Sequence, residues 1–250
     1  MFVPIHDANS LRHIRLQFVT LGLIGLNVVV WFLTALDGLE SEASLAAAYG
    51  LGFIPAVANG YADLAPDLVL VPEPATYVTY AFLHGGFLHL AGNMMFLWVF
   101  GDNVEDATGH FRFLVFYLLV AAAAAFAHGF LYPGSDVPLI GASGAAAGVV
   151  AAYLMLHPRV RLWVLVFGRI PVPLPAYAAL VAWIAYQFAM LFTDFGGAVS
   201  WAAHAGGIIA GLVLLPLMKR RGVPLFRPPG RAAEGRFRRT GGRRRKLTLT

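Results

Sequence analysis

Long apolar runs, separated by short polar stretches, set the organisation of the chain. The first run covers residues 18–36 and contains no charge. It is long enough to cross a bilayer and ends without an A-x-A cleavage pattern, so it predicts a retained helix and not a cleaved leader. Similar runs predict further spans at about 87–105, 113–131, 143–157, 174–192 and 201–218. The stretch 37–80 behaves differently. Its apolar pieces, 46–57 and 68–71, are too short to span, and its acids Asp37, Glu40, Glu42, Asp63, Asp67 and Glu73 have no Lys or Arg among them. An interfacial loop that dips partly into the headgroups is expected there. The expected fold class is an all-α polytopic membrane protein: a six-helix membrane domain over residues 18–218, preceded by a polar segment 1–17 and followed by a tail 219–250.

Composition supports this class. Of the 250 residues, 59% are hydrophobic and 12% charged, which excludes an ordinary soluble domain. The absence of cysteine excludes disulfides, thiolate nucleophiles and zinc–thiolate sites. A net charge of +5 conceals an asymmetry, because residues 219–250 hold 12 of the 18 Lys and Arg and one acid, Glu234. A tail so rich in Arg, Gly and Pro predicts solvated, disordered chain. Beside a bilayer it is expected to contact anionic headgroups, at about 1 kcal/mol per basic residue, or to act as a plain orientation signal, and nucleic acid is not expected as a partner. Arg12 and Arg15, then Arg112, then Arg159, Arg161 and Arg169, then the tail occupy alternate connections; the others carry only acids, including Asp136 and Asp194. Positive-inside bias therefore predicts both termini in the cytosol.

With that topology the second, fourth and sixth spans run in the same direction, and each carries polar residues near its start. His89 and Asn93 lie one turn apart on one face of the second span. Ser143 opens the fourth, between glycines, and His204 lies near the start of the sixth. All four fall within the outer third of a ~30 Å hydrocarbon core. Taken singly, each has a plain structural role: Gly144 and Gly148 permit close helix packing, and the polar side chains satisfy one another inside the bundle. Together, at one depth, they point to a site. Gly207 and Gly211 give the sixth span a small face to set against Gly144 and Gly148, and His204 shares the face of Gly207. Packing through these faces would bring the imidazole towards Ser143. A hydroxyl beside a neutral histidine is the minimum activated nucleophile. No acid in the spans is placed to orient the histidine, so a dyad is expected and not a triad.

The residues that carry this pattern resemble the rhomboid family of intramembrane serine proteases. The family's His-x4-His-x3-Asn element is matched by His84, His89 and Asn93, its G-x-S-G by Gly141-Ala142-Ser143-Gly144, and its Ala-His-x-x-Gly-x-x-x-Gly by Ala203, His204, Gly207 and Gly211. The resemblance covers about residues 18–218. It implies a serine endopeptidase that cleaves transmembrane proteins in or near their spans, without metal or cofactor, as a multi-pass protein of a bacterial cytoplasmic membrane. It implies Ser143 as nucleophile and His204 as general base. His89, Asn93, the Ser143 amide and Gly141 would form the oxyanion site, and His84 would be structural. Three positions depart from the family. Ala75 and Thr76 stand where many members have Trp-Arg in the first loop, and Ala147 stands where some have a tyrosine that packs on the histidine. The acid-rich Gly101–Asp106 stretch matches a family feature; at a helix C-terminus it requires compensation, expected from Arg112 or backbone amides.

Two other classes share parts of this pattern. A client-binding relative without activity would ordinarily lack the serine or the histidine. A metal carrier built on His84, His89, His128 and His204 would need chelating spacings, and none of these pairs sits at i, i+3 or i, i+4. The substrate and the oligomeric state are not encoded in any recognisable motif.

Overall fold

The computed structural model describes residues 2–35, 41–166, 169–193, 197 and 199–226. Asp37, Glu40, Asp194 and the basic run 227–250 lie outside the described residues. In chain order the elements are β1 (Phe2–Asp7), α1 (Phe18–Ala35), α2 (Glu42–Leu51), α3 (Pro55–Ala58), α4 (Glu73–Thr79), α5 (Phe87–Thr108), α6 (His110–Leu131), α7 (Ser143–Leu156), β2 (Arg161–Val166), β3 (Ile170–Pro175), α8 (Ala176–Thr193) and α9 (Trp201–Met218). Among the described residues, α6, α8 and α9 are long and apolar enough to cross a membrane, and α1 and α7 are shorter apolar helices. The last turns of α5 carry Asp102, Glu105 and Asp106.

α7 is the axis of the bundle. Eleven of its 14 residues are buried, among them Gly144, Gly148 and Tyr153. It packs most extensively on α9, then on α5 and α6. The reason is the absence of side chains on the facing surfaces. A methyl group at Gly207 would lie 2.0 Å from the Gly144 carbonyl oxygen, and one at Gly211 would lie 2.2 Å from that of Gly148. α9 also approaches α6 through Gly206, where a methyl would come within 2.3 Å of the Ala127 Cβ. Van der Waals contact between backbones holds such helices together where lipid offers no hydrophobic drive.

The polar residues at the end of α5 hold the N-terminal segment. Glu105 is fully buried and accepts from the Val19 amide at 3.0 Å, the Thr20 amide at 2.8 Å and the Thr20 hydroxyl at 2.7 Å. It thereby caps the first turn of α1 with an anion, the favourable sign for that end. Asp106 accepts the amides of Arg12, His13 and Ile14 at 3.1, 2.6 and 2.8 Å, with His13 Nδ1 at 2.9 Å from its second oxygen. His110 Nδ1 lies 2.5 Å from Glu105 Oε1, so backbone amides, with the His13 and His110 imidazoles, compensate these acids, and Arg112 is exposed. Asp7 accepts from the Tyr153 hydroxyl at 2.8 Å and from Asn103 Nδ2 at 3.0 Å, which ties β1 to α7 and α5.

Three features depart from the sequence-based expectation. Residues 2–7, 161–166 and 170–175 form a small antiparallel sheet of order β1-β2-β3, with Phe2 opposite Val166 and Arg161 opposite Pro175. Its outer strand, IPVPLP, has proline at every second position, so half its backbone lacks donors and it cannot recruit another strand. The connection before α5 contains three short helices and two 3-10 turns, at Pro66–Leu68 and Tyr80–Phe82. Beyond α9, residues 219–226 fold back under the bundle: the Arg220 amide donates to Ala107 at 2.8 Å and the Phe226 amide to Met155 at 2.6 Å, while Val223 and Leu225 pack on the main core.

Replacing Glu105 by alanine strips the Val19 amide, the Thr20 amide and hydroxyl, and the His110 imidazole of their partner inside the protein. Glu105→Ala should lose about 2 kcal/mol of stability, whereas Arg112→Ala should stay within about 0.5 kcal/mol. Unfolding of the two variants in the same detergent measures the difference.

Candidate active site

The approach to Ser143 is made of irregular chain held from several sides. Phe53, fully buried in the first connection, exchanges backbone hydrogen bonds with Leu139 (3.1 and 2.8 Å), and the Gly141 amide donates to the Tyr80 carbonyl at 3.0 Å. Tyr80 is itself fixed by its hydroxyl, which donates to Ala121 of α6 at 2.9 Å. Phe53 stacks edge-on against Tyr77 with ring centroids 4.6 Å apart and fills the space beside Gly129, where a methyl would meet its ring at 2.9 Å. Asn59 Nδ2 adds a hydrogen bond to the Gly129 carbonyl at 3.3 Å. In a chain with Ala75 and Thr76, these contacts anchor the first connection to α6 and to the segment that delivers the serine.

Gly141 has φ +116°, a conformation that side chains avoid, and a methyl there would lie 2.6 Å from His89 Nε2 and 3.7 Å from Asn93 Nδ2. Glycine is required for both reasons. The turn brings the backbone just ahead of Ser143 against the two polar residues of α5. Asn93 is buried, and its Nδ2 has no hydrogen-bond partner among the described residues. His89 lies at the open side of the site, edge-on to His84 with centroids 5.0 Å apart. His84 is buried, and its Nε2 lies 3.4 Å from the Ala142 amide, a supporting position beside the serine turn.

Ser143 is the first residue of α7 and is partly accessible, while its neighbours Ala142 and Gly144 are buried. A methyl at Gly144 would contact the Ala203 carbonyl at 3.3 Å, so the serine turn lies directly against the turn that carries His204. His204 is 8% exposed. Its Nδ1 is 2.7 Å from Gln187 Oε1 of α8, its ring stands edge-on to Trp201 at 5.7 Å, and its Nε2 is buried without a hydrogen-bond partner. The serine hydroxyl therefore makes no hydrogen bond to that nitrogen in this conformation; in resting enzymes such bonds are often open and close on substrate binding. Ser200 caps α9, accepting from the Ala203 amide at 3.2 Å, and pairs with His128 Nδ1 of α6 at 2.7 Å.

The structure thus brings Ser143, His204, His89, Asn93 and Gly141 to one end of the bundle, with Gly144, Gly148, Gly207 and Gly211 at the α7–α9 contact. Sequence reasoning missed Gln187 and Trp201. Gln187 had a visible signal: it is the single amide side chain in an otherwise apolar stretch, the kind of residue that seeks a partner inside a bundle.

A family model described as the Rhomboid domain matches residues 72–221. The chain belongs to the rhomboid family and is a mostly helical, multi-pass integral membrane protein. It is similar to the rhomboid protease AarA of Providencia stuartii, at 29% identity over 78% of this chain and 70% of that protein. It is also similar to the rhomboid protease GluP of Bacillus subtilis, at 28% identity over 75% of this chain and 32% of that one. The mitochondrial rhomboid protein 1 of Saccharomyces cerevisiae is 33% identical over 53% of this chain and 38% of its own length. The chain therefore spans only about a third of the lengths of GluP and the yeast protein.

Because the Gly207 Cα faces a backbone carbonyl, even one methyl group must part α7 from α9. Gly207→Ala should slow labelling of Ser143 by a fluorophosphonate about 10²-fold, the usual cost of displacing reacting groups by ~1 Å. Gly22→Ala on α1, where nothing lies within 4 Å, should label normally. Labelling time courses on both purified variants, alongside their melting temperatures, test the contact.

Proposed function

We propose that this chain is an intramembrane serine endopeptidase that cleaves other membrane proteins in or near their transmembrane segments, with Ser143 as nucleophile and His204 as general base. The observation that carries the proposal is the state of the imidazole: Nδ1 is engaged by Gln187, and Nε2 is buried, unpaired and on the helix packed against the serine turn. A nitrogen in that state is a proton acceptor awaiting a donor.

In the proposed reaction the Ser143 oxygen attacks the scissile carbonyl carbon as its proton passes to His204 Nε2. The carbonyl oxygen becomes an oxyanion, stabilised by the Asn93 amide, His89 and the Ser143 backbone N–H at the start of α7. Collapse of this intermediate expels the amine, which takes the proton from His204. Water, deprotonated by the same imidazole, then hydrolyses the acyl-serine ester. The unpaired Asn93 Nδ2 supports its assignment, since the group is a buried donor without an acceptor in the protein.

The substrate helix must unwind at the end of the bundle that holds Ser143, where backbone groups can leave the lipid and water can enter. We propose six spans (α1 and α5 to α9), both termini in the cytosol and the site towards the opposite side. A bacterial cytoplasmic membrane is the proposed setting; the two bacterial relatives align over larger shares of this chain than the mitochondrial one.

Ser143→Ala should abolish cleavage of a single-span substrate and labelling while the protein still inserts and melts normally. His204→Ala should lose nearly as much, and the double variant should be no slower than either single one, because a dyad acts as a unit. Full turnover by purified Ser143→Ala would refute the nucleophile. His89→Ala and Asn93→Ala should each lower kcat by roughly 10²–10³ at most, read from initial rates at saturating substrate.

A further inference from the structure

Three observations around α8 converge on one residue that the proposed reaction has not yet used. Gln187 is 3% exposed, within the least buried of the three long apolar helices. Its Oε1 is 2.7 Å from His204 Nδ1. Trp183, Ile184 and Phe188, on the same face of α8, pack on the small cluster of Ala147, Ala151 and Ile208. The small side chain of Ala147 leaves room for α8 to come in, and the amide on that face of α8 reaches the imidazole.

We infer that Gln187 is the positioning residue of the proposed dyad, holding His204 in the tautomer and orientation that leave Nε2 free to accept the serine proton. The inference rests on the assignment of Ser143 and His204 made above. A carbonyl oxygen only accepts, so its partner Nδ1 must carry the hydrogen, and in a neutral imidazole the lone pair is then on Nε2. Were the amide reversed, its NH2 would donate to Nδ1, and Nε2 would become a buried N–H without an acceptor, unable to take a proton. Trp201 completes the support: it meets the imidazole edge-on at 5.7 Å and is met edge-on by Tyr186 of α8 at 5.6 Å. The base is thus oriented by a neutral amide from one helix and an aromatic edge from its own.

The experiment uses the full chain in detergent, with fluorophosphonate labelling rate and substrate kcat and KM followed against pH. The groups facing His204 from the packed helices, namely Ser143 of α7, His89 of α5 and (through Ser200) His128 of α6, are unchanged in every Gln187 variant. Gln187→Leu should reduce labelling and kcat on the order of 10²-fold with KM little changed. Gln187→Glu restores an acceptor to Nδ1 and should recover most of the rate. Its carboxylate also favours the imidazolium, so the acid limb of the pH–rate profile should move to higher pH. Wild-type labelling by Gln187→Leu, or equal losses in both variants with an unmoved acid limb, would overturn the inference. Should Gln187→Leu fail to fold, the pH profile of Gln187→Glu decides. Ser143→Ala separates the two levels: if it labels like wild type, the dyad itself is wrong, whereas a silent Ser143→Ala beside a normal Gln187→Leu removes the positioning role alone.

Discussion

Backbone contact between α7 and α9 is the constraint on which the remainder of the bundle depends. With carbonyl groups of one helix seated on the α-carbons of the other at Gly144–Gly207 and Gly148–Gly211, there is no side chain whose rotation could absorb a displacement. Stiffness follows from what is missing. A pair of helices joined by long side chains can slide by changing rotamers; a pair joined through glycine faces has one depth and one register. The serine turn and the histidine turn inherit that register because each lies next to a contact glycine.

Around this rigid pair the chain distributes its buried polar groups by end. Near Ser143 some are left unpaired by the protein itself, Asn93 Nδ2 and His204 Nε2 among them. At the far end the acids are engaged: Glu105, Asp106 and Asp7 accept from amides, hydroxyls and carboxamides. Satisfied groups stabilise a connection, and unsatisfied ones store the capacity to bind something else. The two ends of α5 illustrate both uses within one helix.

The candidate site was legible in the sequence because its members lie on regular helices, where spacing converts directly into faces. His89 and Asn93 one turn apart, a serine between glycines, and His204 with Gly207 one turn on can be placed from spacing alone. What escaped was whatever depended on contact between distant segments. No periodicity in Phe2–Asp7 or in the proline-rich 170–175 announces that they flank a common strand, since their pairing is decided by the ends of the bundle. The stretch 219–226 reads as basic tail, yet the half-buried Val223 and Leu225 pack on the core and hold it there. Gln187 was visible as an odd polar residue but its partner was not, because the small side chain of Ala147 that admits α8 has meaning only once the helices are packed. The role of the acids at the end of α5 was half legible: compensation by backbone amides could be expected, but not that those amides would belong to residues 12–14 and to the first turn of α1.

The pairing of β1 with β2 bears on how the molecule is made. Residues 2–7 leave the ribosome before their partner strand, 161–166, which follows α1, α5, α6 and α7 in the chain. Until those helices are in place, the first strand has no ladder to join, and Asp7 has neither Tyr153 nor Asn103 to meet. Its docking is therefore a late event in assembly, possible only when α5 and α7 already stand side by side. The strand acts as a clasp that closes over a finished arrangement, and a nascent chain with its helices wrongly ordered would have nowhere to fasten it.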